Sequence, residues 1–428
     1  MRVLVIGSGA REHALVIRLT TERDVSEVVC TPGNPGIGRI ARTARTAASD
    51  VDALLTLADR EAIDLTVVGP ELPLSLGIAD RFAAEGRLLF GPTAAAARLE
   101  TSKSFAKAFM ARHQIPTAPF CTCESADEAL ALVRAGAFGL PVVLKADGLA
   151  AGKGVVVASS SADAESAVVA AMRERRFGDA GDRLVIEECL NGPEVSFFAV
   201  SDGTNVVPIG TAQDHKRILD EDRGPNTGGM GAFAPSPLID DALTARIIHE
   251  IVEPVVRGMG EEGQPYCGFL YVGLMLTADG PKVIEFNARL GDPEAQVVLP
   301  RIDEPLLPIL VGAATGSLVQ SSIRMGSDRL TGVVIASRGY PESSESGQPI
   351  EGLERAEAIP GVSVYHAGTA LRDGRLVTAG GRVLTVVGRG DDFAEATARA
   401  YAGVMKISFD GMQYRRDIGR TALKFDAR

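Results

Sequence analysis

The sequence predicts a chain of mixed α/β and α+β class that begins with a doubly wound parallel sheet. Residues 1 to about 100 alternate apolar strands with helices, which is the pattern of βαβ units. The first strand, residues 3–6, is apolar at every position, as in a parallel strand covered on both faces. A chain of 428 residues is long enough for about three domains of roughly 150 residues each.

The elements of this first region follow from runs of apolar residues and from the helical segments between them. The expected strands are 3–6, 28–30, 65–68 and 88–90, and the expected helices are 12–19, 51–60 and 77–85. A helix at 102–113, with Thr101 as its N-cap and Pro116 beyond its end, opens the next unit.

The remaining elements read as α+β units with a strand-rich end. The expected strands are 142–145, 155–158, 184–188, 195–200, 206–211, 269–276, 282–287, 332–336, 364–367 and 383–387. The expected helices are 163–175, 240–259 and 392–406. The second of these helices should be interrupted or bent near Pro254, because a proline inside a helix removes a hydrogen bond.

The charge and the cysteines limit the class of protein. The net charge is −11, which disfavours a large nucleic-acid-binding surface, because such a surface must offset phosphate charge. Five scattered cysteines form no disulfide framework and fit a reducing cytoplasm. No apolar stretch approaches the roughly 20 residues of a membrane span, so we expect a cytoplasmic protein without a membrane partner.

The first candidate site is the turn Gly7-Ser8-Gly9, which follows a strand and opens a helix. Backbone N–H groups at such a helix start could hold a phosphate. The turn departs from a dinucleotide-binding fingerprint, which would place Gly or Ala where Glu12 stands. A tight structural turn between strand and helix remains the alternative.

The second candidate is a glycine-rich loop with two lysines, from Lys145 through Gly148, Gly152, Lys153 and Gly154. It fails as a Walker loop, because only three residues separate its first two glycines and a strand follows. A loop of this composition between two strands can still fold over a triphosphate, donating N–H groups while its lysines offset charge. A plain hairpin loop is the alternative.

A third segment ends a strand at Glu187 and Glu188 and continues through Leu190 to Glu194. A strand end of this kind can offer backbone groups to an adenine edge, and a carboxylate just beyond it can bind ribose hydroxyls. An ordinary strand end fits the same residues.

The fourth segment is the late strand that carries Glu285, Asn287 and Arg289. Strand side chains alternate, so these three should share one face while Ile284 and Phe286 point into the core. A carboxylate and an amide oxygen suit Mg²⁺, and an arginine beside them can stabilise a transferred phosphoryl group. A solvated strand face with a salt bridge is the alternative.

The fifth region combines Asp214 and Lys216 with a glycine-rich loop that contains Asn226 and Gly228. Adjacent basic residues followed by such a loop could accept a phosphorylated substrate. A solvated charge cluster next to a mobile hairpin is the alternative.

Taken together and in order, these motifs resemble the glycinamide ribonucleotide synthetase family of the ATP-grasp superfamily. The resemblance runs from residue 1 to about 421 without a large gap, and its most specific parts are QDHKR with GPNTGGMG, and EFNARLGDPE. The shorter stretches that support it are VIGSGAREHAL, VVGPE, FGPT, SKSFAK, LKADGLAAGKGV, GFLYVGLM, YHAGT, GGRVL and RRDIG.

The resemblance implies an ATP-grasp fold of four units. These are a Rossmann-like pre-grasp domain at 1–101, one grasp lobe with a glycine-rich flap at 102–190, a second lobe with the metal site at 191–326, and a strand-rich C-terminal domain at 327–428. It also implies a ligase that activates glycine with ATP as glycyl phosphate and joins it to 5-phosphoribosylamine. We expect a monomer or weak homodimer.

The resemblance also implies roles for individual residues. Lys103 and Lys145 would contact the ATP phosphates, residues 148–154 would form the flap, residues 187–190 would frame adenine, and Glu194 would bind ribose. Glu285 and Asn287 would hold Mg²⁺ or Mn²⁺, and the catalytic centre would contain Arg289, Lys145 and Asp292. Asp214, Lys216, Asn226, Gly228, Asp292 and the Gly7–Gly9 turn are candidates for holding glycine or the ribose phosphate.

Three other functions compete with this interpretation. A different ATP-grasp ligase, such as a carboxylase or a formate-using relative, would not require glycine. An NAD-dependent oxidoreductase would use the N-terminal glycines, but the third glycine and the ribose-binding acid are missing. A non-catalytic nucleotide sensor would not need Glu285, Asn287 and Arg289 together.

Overall fold

The first region of the computed structural model, which describes residues 1–149 and 154–425, is a parallel sheet with the order β3-β2-β1-β4-β5. The sheet confirms the doubly wound start of the chain. Its strands are β1 (Arg2–Gly7), β2 (Glu27–Pro32), β3 (Arg42–Thr43), β4 (Leu65–Val68) and β5 (Leu89–Phe90). The helices of this region are α1 (Ala10–Thr20), α2 (Val51–Arg60), α3 (Glu71–Ser75), α4 (Ile78–Ala84) and α5 (Arg98–Thr101).

A smaller antiparallel sheet with the order β6-β9-β7-β8 follows. Its strands are β6 (Phe120–Cys123), β7 (Val142–Ala146), β8 (Val155–Ala158) and β9 (Leu184–Glu188). The helices are α6 (Lys103–Arg112), α7 (Ala126–Arg134) and α8 (Ser161–Val168). Apolar residues of α7 and α8 pack on this sheet in a core of its own.

An eight-stranded antiparallel sheet with the order β16-β15-β10-β11-β14-β17-β21-β18 forms the centre of the molecule. Its strands are β10 (Glu194–Asp202), β11 (Val206–Asp214), β14 (Gly231–Ala234), β15 (Cys267–Thr277), β16 (Gly280–Asn287), β17 (Arg329–Ala336), β18 (Val362–His366) and β21 (Arg382–Gly390). The sheet contains strands from both sides of position 326, the predicted boundary between the second grasp lobe and the C-terminal domain. The four predicted domain ranges remain a prediction.

Two short hairpins and six helices complete this half. The hairpins are β12 (Arg217–Leu219) with β13 (Arg223–Asn226), and β19 (Thr369–Arg372) with β20 (Arg375–Thr378). The helices are α9 (Asp241–Ile247), α10 (Glu253–Glu261), α11 (Ala295–Val298), α12 (Leu307–Ala314), α13 (Leu353–Glu357) and α14 (Phe393–Val404). Within the described ranges, no helix is both long and apolar enough to cross a membrane.

The helix expected at 102–113 begins one residue later than predicted, and its N-cap is different. Ser102, not Thr101, is the N-cap, because its hydroxyl accepts a hydrogen bond from the N–H of Phe105. Thr101 instead ends the preceding helix α5. Both residues can cap a helix, so the sequence alone did not separate them.

The helix expected at 240–259 is divided by a wider turn rather than broken. A π-helical turn at Ile248–Val252 separates α9 from α10, and Pro254 stands in the first turn of α10. Because proline has no N–H and its ring clashes with the carbonyl one turn earlier, the helix widens just before it. The expected helix 163–175 likewise consists of α8 and a π-helical turn at Val169–Arg173.

A pair of buried histidines joins the N-terminal sheet region to the C-terminal region. The N–H of His366 donates a hydrogen bond to Nδ1 of His13 over 2.9 Å, and both side chains are buried. Gly36 lies between them, and a Cβ there would come within 2.5 Å of both rings. Burial lowers the pKa of His13 to about 3 and that of His366 to about 4, so both rings are neutral near pH 7.

This histidine pair should make stability fall in mild acid. The unfolded state binds protons near the ordinary pKa of about 6.5, while the folded state does not, so stability declines as the pH drops below that value. One such histidine should cost about 2 kcal/mol between about pH 7.5 and about pH 5. Urea unfolding of the wild-type protein and of His13→Asn at the two pH values measures the loss, which should be smaller in the variant.

A control variant is His249→Asn, because the His249 side chain is 85% exposed. It should show the same pH-dependent loss as the wild type. An equal loss in His13→Asn and the wild type would contradict the account.

Candidate active site

A cleft of about 1210 Å³ lies between the β6-β9-β7-β8 sheet, the end of strand β16 and the C-terminal region. Large concave sites of this kind are where proteins bind small ligands. Most of the predicted site residues line it: Lys103, Lys145, Gly148, Gly154, Glu187, Glu188, Leu190, Glu194, Asp214, Lys216, Asn226, Gly228, Glu285, Asn287, Arg289 and Asp292. The predicted Gly152 and Lys153 lie outside the described residues.

A buried group of two lysines and one glutamate forms one wall of the cleft. The Nζ of Lys145 lies 2.5 Å from a carboxylate oxygen of Glu187, and Lys107 pairs with the other oxygen. Lys145 also donates a hydrogen bond to the carbonyl of Ile284 over 2.7 Å, which ties strand β7 to strand β16. The lysine that we expect at the ATP phosphates therefore also connects the two sheets.

Lys107 was not among the predicted residues. It lies one helical turn after Lys103 on α6, and its side chain is 3% exposed. Besides Glu187, it donates a hydrogen bond to the hydroxyl of Thr117 over 2.7 Å. Burial lowers the pKa of Lys107 to about 8, against the opposing effect of Glu187. The spacing of four residues from Lys103 was the available signal.

The start of the glycine-rich loop is fixed to the first turn of α6. Asp147 accepts hydrogen bonds from the hydroxyl of Ser102 and from the N–H of Ser104, each over 3.0 Å. Lys103 stands between these two serines and its Nζ donates to the carbonyl of Glu100 over 3.3 Å. The loop therefore begins beside Lys103, at the edge of the cleft.

Strand β16 brings Glu285 and Asn287 to the cleft, but its pattern differs from the prediction at Ile284. A β-bulge shifts the pairing with β15 between Glu285 and Val283, so Ile284 is the extra residue. Val283 and Phe286 are buried, whereas Ile284 is half-buried and lines the cleft. The prediction that Ile284 points into the core is therefore wrong.

Lys216 forms ion pairs with two carboxylates near the end of strand β16. Its Nζ lies 3.3 Å from a carboxylate oxygen of Glu285, and it also pairs with Glu194. Burial opposes ionisation of Glu285, but Lys216, Lys103 and Lys145 outweigh it and lower its pKa to about 2. Burial raises the pKa of the neighbouring Asp214, in spite of Lys216. The cleft thus holds one ionised carboxylate where the sequence predicts a metal ligand.

The donor set at Glu285 and Asn287 fits a divalent cation. Both residues line the cleft and offer oxygen atoms, which Mg²⁺ and Mn²⁺ prefer. An ionised Glu285 supplies the negative charge that such a site requires.

Arg289 lies just past the end of β16 and is held by two carboxylates. It pairs with Glu100 at 2.9 Å and with Glu71 at 3.2 Å. The second oxygen of Glu100 accepts a hydrogen bond from the N–H of Ala288 over 2.7 Å. These contacts fix the guanidinium at the cleft wall, although the sequence analysis assigned no role to either glutamate.

Asp292 meets an arginine from the C-terminal region. Arg382 lies 3.4 Å from a carboxylate oxygen of Asp292, and its Nη1 donates to the carbonyl of Gly228 over 2.6 Å. Gln296 donates a further hydrogen bond to Asp292 over 2.9 Å. The segments that contain Gly228 and Asp292 are therefore held together by Arg382, another residue without a predicted role.

Gly7 and Gly9 do not belong to the residues that line the cleft. The N–H of Gly9 donates to the carboxylate of Glu12 over 2.6 Å, and Arg11 pairs with the same carboxylate at 2.6 Å. The glycine at position 7 provides room for this side chain, because a Cβ there would lie 2.4 Å from Glu12. The Gly9 N–H is therefore bonded to an anion of the chain itself, and a role of this turn at a substrate phosphate stays a prediction.

Comparison with known proteins covers almost the whole chain. Family models described as the phosphoribosylglycinamide synthetase N domain, ATP-grasp (A) domain and C domain match residues 1–100, 101–295 and 330–421. The phosphoribosylamine–glycine ligase of Xylella fastidiosa strain Temecula1 is 50% identical over 428 residues, covering 99% of this chain and 98% of that protein. The corresponding ligase of Ralstonia nicotianae is also 50% identical, covering 99% of this chain and all of its own.

Solved structures agree with this similarity and with the predicted fold. The crystal structure of phosphoribosylamine–glycine ligase from Thermotoga maritima superimposes with a TM-score of 0.84 at 35% identity, covering 97% of this chain and 100% of that one. The biotin carboxylase–beta-gamma-ATP complex from Campylobacter jejuni superimposes with a TM-score of 0.75 at 18% identity, covering 96% of this chain and 92% of its own. The second likeness shows the fold alone.

The buried lysine pair should be coupled energetically to its glutamate. Lys107→Met should lower the free energy of unfolding by about 2–4 kcal/mol, because it leaves the buried Glu187 with one partner fewer. The double variant Lys107→Met with Glu187→Gln should recover part of that loss, since the carboxylate charge is gone. Urea unfolding of the wild type, of Lys107→Met, of Glu187→Gln and of the double variant gives the coupling energy.

Lys282→Met is a suitable control, because among the described residues Lys282 forms an ion pair only with an exposed turn residue, Asp279, at 3.4 Å. We expect that variant to lose less than about 1 kcal/mol. A free energy of unfolding in Lys107→Met equal to that of the wild type would contradict the proposed coupling.

Proposed function

Since this chain belongs to the phosphoribosylglycinamide synthetase family, we propose that it uses ATP to join glycine to 5-phosphoribosylamine in the cleft described above. The products are glycinamide ribonucleotide, ADP and phosphate, in the second step of de novo purine biosynthesis. The observation that carries this proposal is that Glu285, Asn287 and Arg289 line one cleft together with Lys103 of α6 and Lys145 of β7.

ATP would lie between the smaller sheet and strand β16. Lys103 and Lys145, which line the cleft, would contact its phosphates, and residues 148–154 would cover them as a flap. The strand end at 187–190 would frame adenine, and Glu194 would bind the ribose hydroxyls. Lys107 supports this arrangement, because it would keep Glu187 paired while Lys145 turns to a phosphate.

Glu285 and Asn287 would hold Mg²⁺ or Mn²⁺. The cation would supply charge neutralisation for the phosphate oxygens, and its binding at Glu285 would compete with the Lys216 ion pair. Arg289 would add a fixed positive charge beside the transferred phosphoryl group, since Glu100 and Glu71 hold its guanidinium in place.

The reaction takes place in two displacements. A carboxylate oxygen of glycine forms a bond to the γ-phosphorus of ATP, and the bond from that phosphorus to the β–γ bridging oxygen breaks, which releases ADP. The amine nitrogen of phosphoribosylamine then bonds to the carbonyl carbon of glycyl phosphate, the carbon–oxygen bond to phosphate breaks, and the amine loses a proton. Phosphorylation is needed because an amine that attacked the free carboxylate would have only an oxide ion as its leaving group, whereas glycyl phosphate releases phosphate.

The substrate side of the cleft would be formed by the residues that remain. Asp214, Lys216, Asn226, Gly228 and Asp292 line the part of the cleft near the C-terminal region, where glycine and the ribose phosphate would bind. A closed cleft would also protect the acyl phosphate from water.

The small-molecule substrates suggest the setting in which the chain works. We propose that it acts in the cytoplasm, as a monomer or weak homodimer, without a nucleic-acid or membrane partner. The net charge of −11 supports the exclusion of nucleic acid.

The test is the dependence of ADP release on each substrate. The purified protein with ATP and Mg²⁺ should release ADP only when glycine and phosphoribosylamine, formed in place from ribose 5-phosphate and ammonia, are both present. Mass spectrometry should detect glycinamide ribonucleotide. ADP release that needs bicarbonate or formate instead of glycine would favour a different ATP-grasp ligase.

Replacement of the proposed metal ligand tests the mechanism within the same assay. Glu285→Gln should lower kcat by about 100-fold or more, because the cation site loses its negative charge. Asp279→Asn, in the exposed turn of the same β15–β16 hairpin, is the matched control and should retain wild-type kcat. Near-normal turnover in Glu285→Gln would remove the metal assignment.

A further inference from the structure

The β12–β13 hairpin brings substrate-side residues to the cleft but has little packing of its own. Residues that line the cleft lie within the hairpin or directly beside it: Lys216, Arg217, Asp222, Asn226, Thr227 and Gly228. The hairpin forms a separate two-stranded sheet, and isolated hairpins of this kind are marginally stable. Ile218 is its one buried apolar residue, while Leu219 is 53% exposed.

A buried arginine from the end of the chain holds this hairpin. The side chain of Arg415 is 1% exposed. Its Nη1 donates to a carboxylate oxygen of Asp222 over 2.6 Å and to the carbonyl of Arg217 over 3.1 Å. Its Nε and Nη2 donate to the two carboxylate oxygens of Asp417 over 2.8 Å and 2.7 Å. The guanidinium thus joins strand β12 and the turn of the hairpin to the C-terminal segment.

The turn of the hairpin is fixed by the same segment. The N–H of Glu221 donates to Asp417 over 2.9 Å, and the N–H of Arg416 donates to Asp220 over 2.8 Å. Glu221 and Asp222 have φ values of +60° and +51°, a conformation that non-glycine residues rarely adopt without such restraint.

The segment is itself anchored to the body of the C-terminal region. The hydroxyl of Tyr401, on α14, donates to the carbonyl of Arg415 over 2.9 Å and accepts from the N–H of Ile418 over 3.0 Å. Ile418 is buried in the core that β17, β18 and β21 share with α14. The segment that carries Arg415 is therefore fixed to helix α14 and to the core of the C-terminal region.

We propose that Arg415 is a positioning residue that sets the place of the β12–β13 hairpin and thereby the affinity for phosphoribosylamine and its product. This inference rests on the proposed function, since it assigns that substrate to the hairpin side of the cleft. Arg415 acts through Asp222 and the Arg217 backbone. The nucleotide side, at Lys103, Lys145 and Glu187, has no contact with it among the hydrogen bonds and ion pairs of the described residues.

The experiment compares binding of glycinamide ribonucleotide with binding of a non-hydrolysable ATP analogue by calorimetry. Arg415→Met should weaken product binding and raise KM for phosphoribosylamine by about 10-fold or more, because a small displacement of positioned groups is costly. The Kd of the ATP analogue should change by less than about 2-fold. Arg415→Lys should lie between the two proteins, since it keeps the charge but not the fork of donors.

Two further variants separate positioning from general destabilisation. Arg301→Met removes another buried arginine, which donates to the carbonyls of Asp328 and Gly326 away from the cleft, and should leave both affinities unchanged. Asp222→Asn removes only the partner on the hairpin, whose side chain is 69% exposed, and should weaken product binding without altering the unfolding midpoint. If Arg415→Met does not fold, product binding by Asp222→Asn tests whether Arg415 positions the hairpin.

Amide hydrogen exchange of residues 217–226 completes the test without any ligand. Exchange should be faster in Arg415→Met and Asp222→Asn than in the wild type. Unchanged exchange with unchanged product affinity in folded variants would overturn the inference, as would an equal weakening of product and nucleotide binding. Failure of the wild-type protein to bind glycinamide ribonucleotide would instead overturn the proposed function. Amide hydrogen exchange of the hairpin would then still test whether Arg415 holds it in place.

Discussion

The cleft depends on charges of opposite sign that neutralise one another along its walls, buried at Lys107, Lys145 and Glu187 and half-buried at Lys216, Glu194 and Glu285. Lys107 and Lys145 share Glu187, while Lys216 is shared by Glu194 and Glu285. A buried charge without a partner would cost several kcal/mol, so each group constrains the positions of the others. Since Lys145 also bonds to the carbonyl of Ile284, the same network joins the smaller sheet to the central one.

These contacts also explain how one set of residues can serve stability and ligand binding. A triphosphate with its cation carries charges of both signs, so it can exchange partners with the lysines and carboxylates that already face each other. The bulge at Ile284 matters here, because it presents the carbonyl that Lys145 uses while leaving Glu285 directed to the cleft. Arg289 is held more firmly, by Glu100 and Glu71 together.

Sequence reasoning located the parts of the site whose signal is local. Glycines and lysines near Lys145, and the alternation that places Glu285 with Asn287, can be read within one loop or one strand. The family resemblance supplied the order of the motifs and hence the fold. The sequence could not show that Arg382 meets Asp292 or that Arg415 meets Asp222, because those pairs are about 90 and 193 residues apart and depend on the final packing.

The wrong orientation of Ile284 has an equally specific cause. Strict alternation along β16 misplaced Ile284, since a bulge shifts the faces by one residue. The Gly7–Gly9 turn as a phosphate site stays a prediction, but Glu12, three residues on from Gly9, accepts a hydrogen bond from the Gly9 N–H. That capping arrangement has a sequence signature, which is an acidic residue in the first turn of a helix.

The most direct measurement is a crystal structure of the protein with a non-hydrolysable ATP analogue and Mg²⁺. The account predicts terminal phosphates between Lys145 and the pair Glu285 and Asn287, with Lys145 turned from Glu187 to a phosphate oxygen and Lys107 still paired with that glutamate. A nucleotide bound away from strand β16, or phosphates that leave the Lys145–Glu187 pair intact and do not approach Glu285, would contradict it.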